Sequence, residues 1–273
     1  RRLRGVVPIR RLVAASPDTP CAEIMIRDPV YVRADADQEE VAQLVHRHNL
    51  LAIPVVDDEE RIVGVITVDD VIEVIHEEAT EDIYRLAGLS EEDRVFSPAR
   101  KAIGKRLPWM LLNLAAAFLV ASVIGLFERT LEELVALAFF MPVVAAMGGN
   151  SGIQALTVVT RAIALGEIEF STGLRAIAKE MEVSLVIGGI TGLVAGGVAW
   201  LWMDNTVLGL ALFVSMVITL ALAGLMGAAV PLILKALGAD PAVGSGVFVT
   251  TLTDVCAFST FLGVGALVLE RLA

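Results

Sequence analysis

Cysteine and histidine are scarce in this chain, with two Cys and three His among 273 residues. Cys21 lies in a polar stretch and Cys256 deep in an apolar run, so no disulfide framework is expected, which fits a reducing cytoplasm. His46, His48 and His76 have no cysteine neighbours at zinc-ligand spacing and read as surface residues. No nucleophile triad, phosphate-cradling glycine loop or basic nucleic-acid surface stands out, so neither an enzyme nor a nucleic-acid partner is expected. No secretory leader is visible either, and the chain opens on Arg1 inside what reads as a domain, the pattern of a fragment.

Charge is scarce in one part only. Residues 1–99 carry 21 acids and 11 Lys or Arg, whereas residues 100–273 carry 11 and 10. With 56% apolar residues and a mean hydropathy of +0.74, the chain is no ordinary soluble protein. It reads as an acidic soluble module followed by a membrane domain.

Five runs, 107–127, 134–160, 183–203, 205–234 and 241–269, hold no charge apart from Asp254. Each exceeds the roughly 20 residues a helix needs to cross hydrocarbon. Five crossings put the termini on opposite sides. Arg100, Lys101, Lys105 and Arg106 precede the first run, Arg161, Arg175 and Lys179 follow the second, and Lys235 follows the fourth. The opposite loops hold Arg129 among Glu128, Glu132, Glu133 and Asp204. The positive-inside rule therefore predicts a multi-pass protein of the cell membrane, with a cytoplasmic N-terminal module and Arg271 outside.

Asp254 lies near the middle of the last run, with thirteen uncharged residues before it and fifteen after. A lone carboxylate at the bilayer midplane costs at least about 2.5 kcal/mol, which makes it a functional candidate by default. On a helix it shares a face with Thr250 and with Gly246 or Val247. In the second run Asn150, Gln154, Thr157 and Arg161 recur at steps of three or four, and the two stripes are expected to face each other or a water path. Gly148-Gly149, after Pro142, is expected to break that helix and bare carbonyl oxygens. Paired glycines at Gly188-Gly189 and Gly196-Gly197 read as close helix packing. Two uses fit Asp254: a hard-cation site, or a protonated acid bonded to Thr250 or Thr251 as packing or a proton relay. Likewise Asn150, Gln154 and Thr157 are either ligands or interhelical hydrogen-bond partners.

In the module, 3–13 aligns with 62–72 as an internal repeat offset by 59 residues, each copy a short strand entering a helix. Between them lie an extended segment at 30–32, a helix over 38–47 and a buried strand at 53–56, with 57–60 as a turn. Fourteen acids against two Arg fill the stretch from Asp37 to Asp82. Glu73, Glu77 and Glu81 share one helical face, either a solvated surface or a cation-binding one.

The order strand, helix, strand, strand, helix, with Ile53-Pro54-Val55-Val56-Asp57 and Gly64-Val65-Ile66-Thr67-Val68-Asp69-Asp70, resembles a cystathionine-β-synthase (CBS) domain. From Asp37 onward the chain is similar to the MgtE family of magnesium channels and transporters. Glu77-Glu78-Ala79-Thr80-Glu81-Asp82-Ile83 carries that likeness, with Met141-Pro142-Val143-Val144-Ala145-Ala146-Met147-Gly148-Gly149-Asn150-Ser151-Gly152-Ile153-Gln154 and the run from Asp240 to Phe261.

The resemblance implies a mainly α fold, a dimeric five-helix transmembrane bundle with an N-terminal α/β CBS-type cytosolic module truncated at its N-terminus. Residues 1–20 would end a first CBS repeat, 21–80 form the second, 81–106 an amphipathic connecting helix and 107–273 the membrane domain. It implies a homodimer in membrane lipid that conducts Mg²⁺ and is closed by cytosolic Mg²⁺. Its pore set would be Asp254, Thr250, Asn150, Thr157 and Gln154, with Asp240 drawing cations at the mouth. The regulatory set would be Asp37, Glu39, Asp70, Glu73, Glu78, Glu81 and Asp82. Thr67 and Asp70 match the hydroxyl and ribose-binding acid of CBS domains that hold ATP or another adenine nucleotide, although the first repeat has Pro8 and Arg11 there. Ile153 stands where the family has a polar residue and Asn49 where relatives have an acid, so each site departs from the pattern. Co²⁺ or Ni²⁺ transport and a membrane-anchored nucleotide sensor are the rivals. The absence of His or Met beside Asp254 favours a hard cation.

Overall fold

The alternation of apolar residues in the first part and their unbroken runs in the second build two different kinds of structure. The computed structural model describes residues 2–89, 93, 95–168, 172–243 and 245–272, with side chains through 268, so the side chain of Arg271 lies outside the described residues. Packing divides the chain into two units, Arg1–Thr80 and Glu81–Ala273.

In the first unit α1 (Ile9–Ala14) and α2 (Cys21–Ile24) precede β1 (Val32–Arg33), α3 (Gln38–His48), β2 (Ala52–Val56), β3 (Ile62–Thr67) and the start of α4 (Val68–Leu86). The sheet order is β1-β2-β3, with β1 parallel and β3 antiparallel to β2. Ile53 and Val56 of β2 are fully buried, and Ile53 packs with Val32, Val41, Ala42, Val45 and Val71. That cluster joins the sheet to one side of α3 and α4, as their helical spacing of apolar residues requires. The β2–β3 turn is held by Asp57, whose Oδ1 accepts from the backbone N–H of Glu59 and Arg61 at 2.9 and 2.8 Å. These bonds, that of Arg61 foremost, hold the Asp57 carboxyl below its ordinary range.

The strand expected at 3–7 is not a ladder strand. Leu3 N–H donates to the Glu60 carbonyl, and Val6 pairs with Ile26 in an isolated bridge. These local bonds satisfy the backbone in place of a sheet. The helix that follows is α1, of six residues.

The second unit takes the end of α4, then α5 (Ala99–Gly125), α6 (Glu128–Glu133), α7 (Ala136–Ala164), α8 (Gly173–Met203), α9 (Thr206–Ala236) and α10 (Ser245–Leu272). Five of these are long and apolar enough to cross a membrane. Centred on α9, the bundle packs α7, α8 and α10 around it. Leu212, Met216, Leu220 and Ala223 of α9 are fully buried. Gly188 and Gly196 of α8 face the α9 backbone, whereas Gly189 and Gly197 face open space. Half of each glycine pair thus provides the close approach that small residues give membrane helices.

Two expectations fail here. A single connecting helix over 81–106 does not form: α4 stops at Leu86 and α5 starts at Ala99. The stop is a Schellman turn, in which Gly88 at φ +69° sends its N–H to the Arg85 carbonyl and Leu89 sends its own to Tyr84. Nor does Gly148-Gly149 break α7, which runs unbroken from Ala136 to Ala164. Gly148 is used sideways instead, where a Cβ would lie 2.9 Å from the Thr219 methyl and in ordinary contact with Ala257.

Candidate functional site

Asp254 is the tenth residue of α10, about 14 Å along its axis at 1.5 Å per residue. It is half-buried, and among the described residues it has no hydrogen-bond or ion-pair partner. Thr250, one turn earlier, sends its hydroxyl proton to the Gly246 and Val247 carbonyls at 2.9 and 3.1 Å. Thr251 donates to Val247 at 2.7 Å, so neither neighbouring threonine bonds to the acid. Gly246, Thr250 and Asp254 form a stripe of backbone, hydroxyl and carboxylate along α10.

The second stripe does not face the first. Asn150, Ile153, Gln154 and Thr157 are exposed on α7, and Thr157 donates to the Ile153 carbonyl at 2.8 Å. The face of α7 toward α10 is that of Gly148 and Gly152, where a Cβ on Gly152 would lie 2.9 Å from both Thr253 and Val249. Residues two apart on a helix point about 200° apart, so packing through Gly148 and Gly152 turns Asn150 and Gln154 outward. Asn150 is the middle residue of the 29 in α7, and the outward polar stripe therefore sits at mid-helix.

In the loop before α10, Asp240 accepts from Ala242 N–H at 2.8 Å through Oδ1 and pairs through Oδ2 with Arg85, which also pairs with Glu81. Asp240 is thus ion-paired in this arrangement. Sequence reasoning passed over Arg85, although it is the only Lys or Arg among the 19 residues of α4. Close by in sequence, Asp93 is buried and accepts from Arg106 Nε at 2.6 Å.

The acids expected to bind regulatory ions have individual local tasks. Asp37 caps α3 by accepting from Glu39 N–H at 2.8 Å, Glu39 accepts from Gln43, and Glu78 accepts from Gln38 Nε2 at 2.6 Å. Asp70 caps α4: its Oδ2 accepts from the Thr67 hydroxyl at 2.6 Å and from Thr67 N–H at 2.9 Å. Those two bonds, the hydroxyl's first, hold its carboxyl below the ordinary range. Glu73 is exposed, and Glu81 and Asp82 belong to the second unit. Among the described residues no three His, Cys, Asp or Glu side chains converge. Asn49 ends α3 in the left-handed conformation at φ 48°, a position that suits Asn. His46, His48 and His76 are exposed.

Comparison with known proteins bears on both units. A family model for the CBS domain matches residues 21–77, and the MgtE model, described as a divalent cation transporter, matches residues 141–264. The magnesium transporter MgtE of Thermus thermophilus is 41% identical over 98% of this chain, and that of Bacillus subtilis 36% identical over all of it. The chain belongs to the MgtE family. It spans about 60% of the length of these relatives. A solved cytosolic domain of the Mg²⁺ channel MgtE in complex with ATP is 53% identical, with TM-score 0.26, over 27% of this chain and 29% of that one. The MgtE-matched stretch 141–264 carries both polar stripes.

Proposed function

We propose that this MgtE-family chain conducts Mg²⁺ across the cytoplasmic membrane as a homodimer, with the CBS module in the cytoplasm and the C-terminus outside. The observation that carries the reading is Asp254, an unpaired carboxylate along an apolar helix with a hydroxyl and bare backbone in line with it. Mg²⁺ prefers oxygen ligands, sheds water reluctantly and is commonly held by one or two carboxylates plus waters. Two copies of Asp254 at a two-fold axis would supply that pair, and the outward stripe of Asn150, Gln154 and Thr157 would line the same path or meet the second copy. Asp240 would draw cations to the mouth when its own partner lets go. The names of the relatives, magnesium transporters, support the choice of ion. The test is uptake into liposomes carrying the purified chain, with Mg²⁺ outside and Co²⁺ or Ni²⁺ as competitors. No Mg²⁺-dependent signal, or saturation by trace Ni²⁺, would sink the assignment.

We further propose that cytosolic Mg²⁺ closes the path by binding among Asp37, Glu39, Asp70, Glu73, Glu78, Glu81 and Asp82. Fourteen acids between Asp37 and Asp82 repel one another, and a divalent ion favours whichever arrangement brings them together. Complete coordination would draw on water or the second copy, as expected of a hydrated ion. A second reading concerns Thr67 and Asp70 as an adenine-nucleotide site. Asp70 Oδ2 is taken by Thr67, while Oδ1 accepts nothing among the described residues and remains for a ribose hydroxyl. ATP titration of the chain and of Asp70→Asn separates the two: equal affinity would remove the nucleotide reading.

A further inference from the structure

α5 has little protein around it: only 6% of its apolar window is buried, and it packs chiefly on α10. Trp109, Asn113, Ala116 and Val120 are the only positions from 107 to 122 that are not exposed. At about 100° per residue they share one side of the helix, which is therefore its inner side. The opposite side carries Leu107, Leu111, Leu114 and Phe118, all exposed. These are large apolar side chains without the small residues of a helix–helix contact, the make-up of a surface that meets lipid. Arg100 lies on that same side, two turns before Leu107. It is exposed and has no partner among the described residues, whereas Arg106 is taken by Asp93. Lys101, Lys105 and Arg106 point about 100° or more away from Arg100.

Two observations set the level of the headgroups between Arg100 and Leu107. Pro108, inside α5, has no N–H to offer the Gly104 carbonyl, which hydrocarbon would leave unsatisfied and a headgroup layer would not. Just before the helix, Val95 and Phe96 are the most exposed large apolar residues among those described, a wedge suited to the same layer. From Leu107 to Phe118, eleven steps of 1.5 Å make about 16 Å, half of a hydrocarbon core of roughly 30 Å.

We propose that this side of α5 is a binding site for one anionic phospholipid, with its chains along Leu107, Leu111, Leu114 and Phe118 and its phosphate on Arg100. A guanidinium suits the role, since it takes phosphate oxygens two at a time and keeps its charge. The occupant is lipid rather than a second copy because this side is apolar from Leu107 onward, whereas the outward amides of α7 are what call for a protein or water partner. The site requires that α5 lies in a membrane and does not depend on the ion the chain carries. Since the inner side of α5 meets α10, the bound lipid braces the helix that holds Asp254.

The test puts a reporter on this side: Leu111→Trp, in a chain where Trp109→Phe, Trp200→Phe and Trp202→Phe remove the three native tryptophans. The chain is reconstituted in mixtures of phosphatidylcholine and phosphatidylglycerol with one or the other brominated, and the quenching of the reporter gives the relative affinity for the two lipids. One basic residue at a membrane surface favours anionic lipid by about fivefold. Phosphatidylglycerol should therefore be preferred by about fivefold, Arg100→Gln should bring the ratio to about one, and Arg100→Lys should keep most of it. Leu114→Trp repeats the measurement on the same side and guards against a local effect of the first reporter. Equal affinities in the reporter chain overturn the site. An equal loss in Lys235→Gln, at the end of α9, overturns it as well, because a diffuse surface charge would then be responsible. Absence of quenching by either brominated lipid would show this side covered by protein, a second copy foremost, and would also overturn the proposal.

Discussion

Replacing Asp254 by Asn keeps the shape of the side chain and one acceptor oxygen while removing the charge. A Mg²⁺ ion held through one water stands about 4.5 Å from the carboxylate. Charges of +2 and −1 at that distance attract by about 1.8 kcal/mol at the dielectric of water, and roughly four times as much at an effective value of 20. Asp254 is half-buried, which puts the true figure above the lower bound. That bound alone corresponds to about a 20-fold loss of site occupancy. Uptake at Mg²⁺ well below saturation, followed with an indicator inside liposomes, should therefore fall by at least about 20-fold. Stability should move the other way. No described residue pairs with Asp254, so the substitution removes an uncompensated charge worth at least about 2.5 kcal/mol at hydrocarbon depth, and the thermal midpoint should rise. Uptake at the parent's rate in both Asp254→Asn and Asp254→Ala would refute the ion site. A drop in thermal midpoint would show instead that the carboxylate has a structural partner.

Neutralising Glu73, Glu78, Glu81 and Asp82 together should raise the cytosolic Mg²⁺ needed for half-inhibition by at least about fivefold, read as uptake against internal Mg²⁺; unchanged inhibition removes the sensor. Gly152→Val should destabilise the bundle by roughly 1–3 kcal/mol, because its Cβ would press on Thr253 and Val249 of α10, and uptake should fall as Asp254 shifts; a parent-like thermal midpoint would show that α7 and α10 are not packed there. The Asp70 carboxyl sits below its ordinary value because Thr67 donates to the charged form, so its contribution to stability is present above the unfolded value of about 3.9 and lost as pH falls through the folded one. The gap in urea midpoint between parent and Asp70→Ala should accordingly narrow below about pH 4, and a gap that widens there contradicts the cap.

Apolar periodicity made most of the fold legible. The five charge-free runs became five long helices because each must satisfy its backbone within itself, and the order of β1, α3, β2, β3 and α4 followed from alternation and turn residues. Glycine was harder to read. The same Gly148-Gly149 that suggests a break serves as a contact in a continuous helix, because Thr219 on a helix distant in sequence fills the space beside it. Residue type gives glycine's freedom, whereas the neighbour decides its use. Arg85 escaped notice for a similar reason: within α4 it looks like an ordinary partner for Glu81 four residues earlier, and Asp240 enters only through the tertiary fold.

The outward stripe on α7 sharpens the remaining step. Asn150, Gln154 and Thr157 lie at mid-helix on the surface of the single chain, where lipid would leave the two amides without partners. An unsatisfied amide in hydrocarbon costs several kcal/mol, so two such residues on one face call for water or a second protein surface. The Gly148 and Gly152 side of α7 is already filled by Thr219, Ala257, Val249 and Thr253, which leaves no room inside one bundle for them to turn inward. A path enclosed by one chain would need the stripe to face Asp254, and the packing forbids it. An outward stripe is what a path shared between two copies would use, with Ile153 and Val158 as exposed apolar residues beside it.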